Sequence, residues 1–471
     1  MAFLYQVLEQ ELREAIRQGV YLPGERLPSI RQLCEQRHVA KATVINAYSR
    51  LEASGDIESR GKAGYFACGR YPVSEMLVQG TASEAPEPVN MTAVMRDIMA
   101  QSAAFDIAPE KDDKRTNSPG LIQLNRSIGR ALRANLQGAH HYYDEPAGLA
   151  VFRQQIAERY RRLGCHIQPQ QIVVTAGCQH ALSLALQSCC EEGDVVAVET
   201  PGFYGVLQLL ESLGLKALEI PQHPRSGMDT DKLEALLNRW KVKACVVTPA
   251  FSTPMGAVMS AERREHLLHL AEQYDFQVIE DDIYGDLGFQ NRPVPLKHKD
   301  TNGRVMLCGS FSKSLSRDLR MGWIITDHDP SALIRLKMVN LLASSRFVEQ
   351  GLTDFLSSGA YESHLKKQRL SLQHQRDQLL GILSTDWQAL GQFSVTVPDG
   401  GLCLWVELPD HYDVAGCYLS ARAEGIIITP GNLFTAQDCY RNCLRLSFAH
   451  PWDDRRRQAL GLLGNILLKS A

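Results

Sequence analysis

Apolar residues recur at helical spacing through residues 3 to 18 and place Leu4, Val7, Leu8, Leu12, Ala15 and Ile16 on one predicted face. Two prolines and a glycine in YLPGERLPS break that pattern. Ser29 and Gln32 then stand at capping-box spacing and open a helix to about Gln36, with Ile30 and Leu33 inward. A turn, RHVA, leads to a third helix from Lys41 to Ser54. Its apolar side is Val44, Ala47, Tyr48 and Leu51, and its other side carries Lys41, Thr43, Asn46 and Arg50. Two strand-like pieces follow in GDIESRGKAGYFA, around Arg60, Gly61, Lys62, Ala63 and Gly64. Short helices, a tight turn and a glycine-tipped hairpin predict a winged helix-turn-helix over residues 1–70. The polar side of the third helix can enter a major groove, and Arg31, Lys41, Arg50, Arg60 and Lys62 can meet phosphates. A small helical cap with a solvated charged face fits the same pattern, and periodicity alone leaves both open.

Residues 71–92 hold three prolines and small polar residues, with few bulky side chains after Leu77, which predicts a flexible or partly extended linker. From about residue 93 onward helices alternate with short β-rich runs: QIVVTAG, DVVAVE, KACVVTP, FQVIEDD, RVMLCGS and GWIIT. Continuous apolar runs between helices predict the buried strands of a mostly parallel α/β sheet. Ligands in such sheets gather where strands end, and the polar residues of interest lie there.

The chain has 471 residues, 44% of them hydrophobic and 22% charged, the balance of a soluble globular protein of several domains. No apolar run reaches the roughly 18 residues of a membrane span. The first residues are charged and helical in period, unlike a signal peptide. The twelve cysteines form no CxxC pair and no ligand spacing with histidine, so reduced thiols, no metal site and a cytoplasmic location are expected. A net charge of -3 means that DNA binding must rest on a local basic patch. His140 and His141 read as surface loop residues, Cys189 and Cys190 as core, and the terminal DDRRRQALGLLGNILLKS as an amphipathic helix.

One lysine stands out. Lys313 follows the strand Val305 to Cys308, with Ser310 and Ser312 before it and Arg320 after it. A lysine can condense with an aldehyde. Ser310 and Ser312 can donate to a phosphate, and Arg320 adds a permanent forked charge. Asp281 and Asp282 either form an exposed acidic loop or end another apolar strand, where carboxylates need a partner. A protonated pyridine nitrogen would be one, and Tyr284 could reach the phenolic oxygen of the same ring. Thr175 to Ala181 runs from a strand into a helix whose amides favour phosphate, with Gly177 allowing close approach and Cys178 and Gln179 adding donors. Phe203 and Tyr204 offer a face for a flat ring, and a packed loop fits them equally. Aldehyde, phosphate and pyridine together point to pyridoxal 5′-phosphate.

Two resemblances sharpen this reading. PGERLPSIRQL and ATVINAYSRLEASGDIESRGKAGYFA resemble the DNA-binding domain of the GntR regulators, with Ala40 where a capping Ser or Thr is usual. SFSKSLSRDLRMGW, EDDIY, PGFYG, YYDEPAGLAVFR and NCLRLSFA are similar, in order, to motifs of the fold type I aspartate aminotransferase superfamily. That likeness implies that Lys313 is the Schiff-base lysine, that Asp281 pairs with the pyridine nitrogen, that Tyr284 contacts the ring oxygen and that Phe203 stacks on the ring. It implies that Cys178, Gln179, Ser310 and Arg320 hold the phosphate. Tyr143 would reach the phosphate of a neighbouring subunit, which implies a homodimer, and Arg445 would bind a substrate carboxylate. Thr253 stands where the superfamily has Asn, a shorter reach to the ring oxygen, and Cys178 where a Ser or small residue is common.

The combination resembles the MocR subfamily of GntR-type bacterial regulators. It implies a winged-helix domain at 1–70, a linker at 71–92 and a pyridoxal-phosphate-dependent transferase domain at 93–471. The large subdomain would span about 125–340 and a smaller α+β subdomain about 341–471. The expected function is a transcriptional regulator that binds operator DNA and senses an amino compound by imine exchange at Lys313. Two alternatives stay open: an active aminotransferase with an accessory head, and a DNA-binding protein whose cofactor is structural only.

Overall fold

The computed structural model of the chain describes residues 4–17, 20–21, 25–37, 39–53, 56–59, 64–67, 74–75, 84–89, 93–100, 106–109, 119–135 and 143–469. Helices α1 (Leu4–Arg17), α2 (Ile30–Arg37) and α3 (Lys41–Ala53) precede an antiparallel hairpin of β1 (Ile57–Ser59) and β2 (Tyr65–Ala67). The capping box forms as its spacing predicts: Ser29 N donates to Gln32 Oε1 at 2.9 Å and Gln32 N to Ser29 Oγ at 3.3 Å. Val44, Ala47, Tyr48 and Leu51 are buried against Leu8, Leu12 and Ile16. The inward face of α1 differs from the expected one. Leu4 and Val7 are 60% and 44% exposed, while Glu9 is buried. Burial raises the proton affinity of Glu9, but Arg50 and Arg13 outweigh it and hold the carboxyl low. Its Oε2 accepts from Arg50 at 2.5 Å and its Oε1 from Arg13 at 2.9 Å. A paired charge thus takes a place that hydrophobicity alone assigns to Val7.

The remaining strands are β3 (Ser74–Glu75), β4 (Glu87–Pro88), β5 (Ile172–Thr175), β6 (Val195–Thr200), β7 (Lys216–His223), β8 (Gly227–Met228), β9 (Val242–Val247), β10 (Gln277–Asp281), β11 (Val305–Ser310), β12 (Gly322–Ile325), β13 (Ser394–Val395), β14 (Cys403–Glu407), β15 (Thr429–Pro430) and β16 (Cys443–Ser447). The large sheet runs β4-β7-β6-β9-β10-β11-β12-β5, with β8 beside β7. Pairing is parallel from β7 to β11, while β12 is antiparallel to both of its neighbours. Every residue of β5 and β11 is buried, as their continuous apolar runs require. The smaller sheet runs β15-β16-β14-β13-β3.

Helices complete the body: α4 (Ala93–Ala100), α5 (Pro119–Asn135), α6 (Ala150–Arg161), α7 (Cys178–Cys189), α8 (Tyr204–Ser212), α9 (Thr230–Leu237), α10 (Ala261–Gln273), α11 (Ser331–Asn340), α12 (Arg346–Ser357), α13 (Ala360–Asp386), α14 (Tyr418–Ala423) and α15 (Asp454–Leu468). α7 and α8 pack on one face of the large sheet and α9 and α10 on the other. Leu352 and Phe355 of α12 lie in one core with Phe152, Ile156 and Phe311. That helix therefore packs with the large subdomain, although a division at residue 340 assigns it to the smaller one. Among the described residues no helix is long and apolar enough to cross a membrane.

The described parts of the linker are extended and docked. β3 pairs in parallel with β13 of the smaller sheet, and β4 pairs antiparallel with β7 at the edge of the large one. Trp240 Nε1 donates to Glu84 O at 3.3 Å, and Val89 is buried. An unsatisfied sheet edge accepts a passing strand whatever its side chains, provided its backbone is free.

Candidate functional site

β5, β6, β10 and β11 end on the same side of the large sheet, and Gly177, Phe203, Asp281 and Lys313 lie at or just beyond those ends. Lys313 lies in the turn after β11 and is half-buried. Burial, then the charges of Arg317 and Arg445, push its amine well below the usual lysine range. A lowered proton affinity makes a lysine amine a readier nucleophile. Asp281 ends β10 and is paired in register with Cys308 of β11. Burial, with Asp282 beside it, pushes its carboxyl up to about 6, against the opposing pull of the Cys178 thiol and Lys313.

At the start of α7, Gly177 has φ +89° and serves as the N-cap. A side chain there would meet Arg320 Nη2 at 2.7 Å, so glycine is what lets the guanidinium close over the helix end. Arg320 itself is left-handed, φ +47°, and its Nη2 donates to Ala176 O at 2.9 Å. An arginine beside open helix amides is an anion cradle. Ser310 ends β11 with its Oγ accepting from Ser312 N at 3.3 Å. Cys178 faces the other way: its thiol, kept protonated by burial and the nearby Asp281, donates to Asp281 Oδ1 at 3.1 Å. Gln179 Nε2 donates to Gly205 O at 2.6 Å and ties the cradle to the loop carrying Phe203.

Phe203 caps α8, with its ring 5.0 Å from that of Tyr204. Arg445, buried on β16, lies over the rings of Phe434 and Tyr204 at 5.2 and 5.6 Å. Tyr284 is buried, and its phenol is raised well above the usual range by burial and by Cys403 nearby. Thr253 Oγ1 is 3.5 Å from Cys403 Sγ. Tyr143 is 78% exposed.

Two site residues escape a reading of the sequence. Cys403 begins β14 and approaches Thr253 while sharing its surroundings with Lys313 and Arg445. A cysteine opening a strand carries no signal that would single it out. Glu199 is the next-to-last residue of an apolar strand, much as Asp281 is the last of its own, and that position was the available clue. Its Oε2 accepts from Thr248 N at 3.0 Å, its Oε1 is buried without a hydrogen-bond partner among the described residues, and burial pushes the carboxyl up to about 8.

In the head, Lys41, Asn46 and Arg50 are exposed on α3 and Thr43 is half-buried. Arg50 is engaged with Glu9, and Arg31 Nε lies 3.0 Å from Glu35 Oε1. Arg60 and Lys62 lie outside the described residues.

Three features fit pyridoxal phosphate. A lysine amine of lowered proton affinity suits an aldehyde, a buried carboxyl suits a ring nitrogen that carries a proton, and the Gly177–Arg320 cradle suits a phosphate. Comparisons with known proteins agree. Residues 115–462 match the family of class I and II aminotransferases, and residues 4–66 match the bacterial regulatory proteins of the gntR family. The chain is 32% identical over 468 residues to YjiR, an uncharacterized HTH-type transcriptional regulator of Escherichia coli (strain K12), covering 99% of each chain. It is 33% identical over 476 residues to the similarly described YdcR of the same organism, covering 98% of each. Among solved structures, a kynurenine aminotransferase of Pyrococcus horikoshii in complex with PMP superposes with TM-score 0.71 and 27% identity, over 81% of this chain and 95% of that one. The α-aminoadipate aminotransferase LysN of Thermus thermophilus, complexed with N-(5'-phosphopyridoxyl)-L-leucine, gives TM-score 0.71 and 25% identity, over 81% of this chain and 95% of that one. The cofactor of the body is pyridoxal phosphate. A GntR-type DNA-binding head joined to a class I and II aminotransferase body, with relatives of the same design along the whole length, makes this chain a member of the MocR-type transcriptional regulators.

Proposed function

We propose that the body of this DNA-binding regulator senses a small amino compound at Lys313 and that the bound state of the body sets the affinity of the head for operator DNA. The observation that carries the reading is the joint placement of Lys313, Asp281 and Arg445. A lysine amine, a buried carboxyl and a buried guanidinium influence one another electrostatically in one site. Pyridoxal phosphate, when bound, supplies an aldehyde that exchanges between amines and a ring that withdraws electrons. Lys313 Nζ would hold the aldehyde carbon until an incoming amine takes its place. Asp281 would hold the proton on the ring nitrogen, and a positive neighbour there would keep this carboxyl ionised. Tyr284 would donate to the ring oxygen, with Thr253 beside it, and Phe203 would cover the ring. Gly177, Cys178, Gln179, Ser310, Ser312 and Arg320 would hold the phosphate, Cys178 through its backbone amide at the start of α7. Arg445 would grip a ligand carboxylate through two parallel hydrogen bonds.

The same reading divides the chain into a head at 1–70, a linker at 71–92 and a body at 93–471, acting in the cytoplasm as a homodimer. The exposed Tyr143 would reach the site of a second copy. Val339, 84% exposed, together with Met338, Leu342 and Phe347, supports a covered apolar surface. In the head, Lys41, Arg31, Arg50, Arg60 and Lys62 would meet phosphates, and Thr43 and Asn46 would face bases.

The test is the visible spectrum of the purified protein during titration with a panel of amines and amino acids. Sensing predicts a spectral change with some amine and no sustained turnover. A second reading, a working aminotransferase with an accessory head, is favoured by the presence of Lys313, Asp281, Tyr284 and Arg445 together. Steady amino-group transfer to a keto acid would establish it. Spectral indifference to every amine would leave the cofactor a structural role.

A further inference from the structure

The turn that carries Lys313 is held from behind by one stripe of α13. Gln368 Nε2 donates to Lys313 O at 3.3 Å. His364 Nε2 lies 3.0 Å from Ser314 O and donates to it. Tyr361 Oη is 2.7 Å from Ser314 Oγ and 2.7 Å from Asp286 Oδ2. A phenol has one proton and an ionised carboxylate has none, so Tyr361 donates to Asp286 and Ser314 donates to Tyr361. Tyr361, His364 and Gln368 stand three and then four residues apart, which is one helix face.

A buried charge cluster fixes that face in turn. Asp286 accepts from Arg159 at 2.5 Å and from Arg292 at 2.7 Å. Arg292 also donates to Asp282 at 2.7 Å, and Tyr160 donates to the same carboxylate at 2.9 Å. Arg369 Nε on α13 donates to Asp286 O at 2.7 Å. Asp282 follows Asp281 directly, so the helix that holds the lysine turn also holds the strand end opposite it. Farther along, Leu372, Leu379 and Leu383 of α13 enter the core that contains the smaller sheet.

We propose that Tyr361, His364 and Gln368 are positioning residues that fix the backbone of Lys313 and so aim its amine, an inference that rests on the reading of Lys313 given above. A lysine side chain has four rotatable bonds, and its amine returns to one point only if its backbone is held. The three donors and acceptors of the stripe do this without touching the amine. Because the stripe and the small-subdomain core share one helix, a tilt of that helix moves the aim of Lys313.

Hydrogen–deuterium exchange of the full-length protein, with no cofactor added, is measured on the peptide covering residues 309–320. Gln368→Met and His364→Leu remove one donor each and should speed exchange of that peptide about tenfold, with β9 and β10 unchanged. His364→Gln returns a donor near the position of Nε2 and should restore the wild-type rate. In a second arm pyridoxal phosphate is added, the visible circular dichroism per unit absorbance is recorded, and the labelled lysine is located after borohydride reduction. The Met and Leu variants should label Lys313 with a weakened or inverted dichroic band, and His364→Gln should match wild type. Exchange that is unchanged, or faster throughout the body, overturns the positioning role, and so does a dichroic band that stays as in wild type. Labelling of a different lysine in the wild type overturns the functional reading instead, and the exchange arm still decides the positioning role.

Discussion

The Cys178 thiol donates to Asp281 Oδ1 across 3.1 Å, in a place where the resemblance alone aims this residue at a phosphate. Burial raises the proton affinity of Asp281, and this bond pulls it back. Cys178→Ala should remove that support and weaken cofactor binding about two- to tenfold, the value of one hydrogen bond to the carboxylate. Cys178→Ser keeps a donor and should stay near wild type. Cofactor titration followed by absorbance checks both, and an Ala variant with unchanged affinity would show that the thiol bond does no work for the ring.

Arg445 is buried against two aromatic rings, so its stem and stacking are already in place before any ligand arrives. Arg445→Ala should weaken amino acids far more than plain amines, by about 1.5 to 3 kcal/mol for the charged pair. Spectral titration with matched pairs of ligands, with and without a carboxylate, measures the difference. Equal losses for both classes would assign Arg445 another role.

Much of the head was legible in the sequence because each local signal agreed with the next. The capping box at Ser29 and Gln32 and the spacing of Val44, Ala47, Tyr48 and Leu51 lead to the observed helices. The face of α1 was misjudged because Glu9 is buried by long-range partners, Arg50 among them, that periodicity does not weigh. In the body, the six apolar runs became β5, β6, β9, β10, β11 and β12. β7 was missed because Glu219 and Pro221 interrupt its apolar pattern. Glu219 is tolerated there since its carboxyl, raised to about 7 by burial, accepts from Thr435 Oγ1 at 2.8 Å and Ala436 N at 2.9 Å. The docking of β3 and β4 was not legible at all, because edge pairing uses backbone groups that every residue has.

Buried carboxyls also make the body sensitive to pH. Glu199 titrates at about 8 in the fold against 4.5 for the exposed group, so the folded protein binds the extra proton between those values. Stability therefore falls as pH rises from about 4.5 through about 8. Glu199→Gln keeps the shape without the charge and should raise the thermal midpoint at pH 8.5, with little effect at pH 5. The gain at the higher pH should be at least about 1 kcal/mol. Thermal melts at the two pH values test this, and a variant equally affected at both would contradict it.

Lys41 is exposed at the first turn of α3, away from the buried face. Lys41→Ala should weaken binding to all DNA sequences alike and lower the salt slope by about one. Asn46→Ala should instead change which bases are preferred. Salt-dependent binding measured on operator and unrelated DNA separates the two.

Coupling between the body and the head must be reciprocal. If an amino ligand shifts operator affinity, operator DNA must shift ligand affinity by the same factor, 5- to 150-fold for a coupling of about 1 to 3 kcal/mol. The measurement is an absorbance titration of the cofactor-loaded full-length protein with its ligand, with and without saturating operator, paired with operator binding measured with and without saturating ligand. Two equal, non-unit factors are expected. Amine exchange at Lys313 that leaves both affinities unmoved would contradict it and favour an enzyme that happens to carry a DNA-binding head.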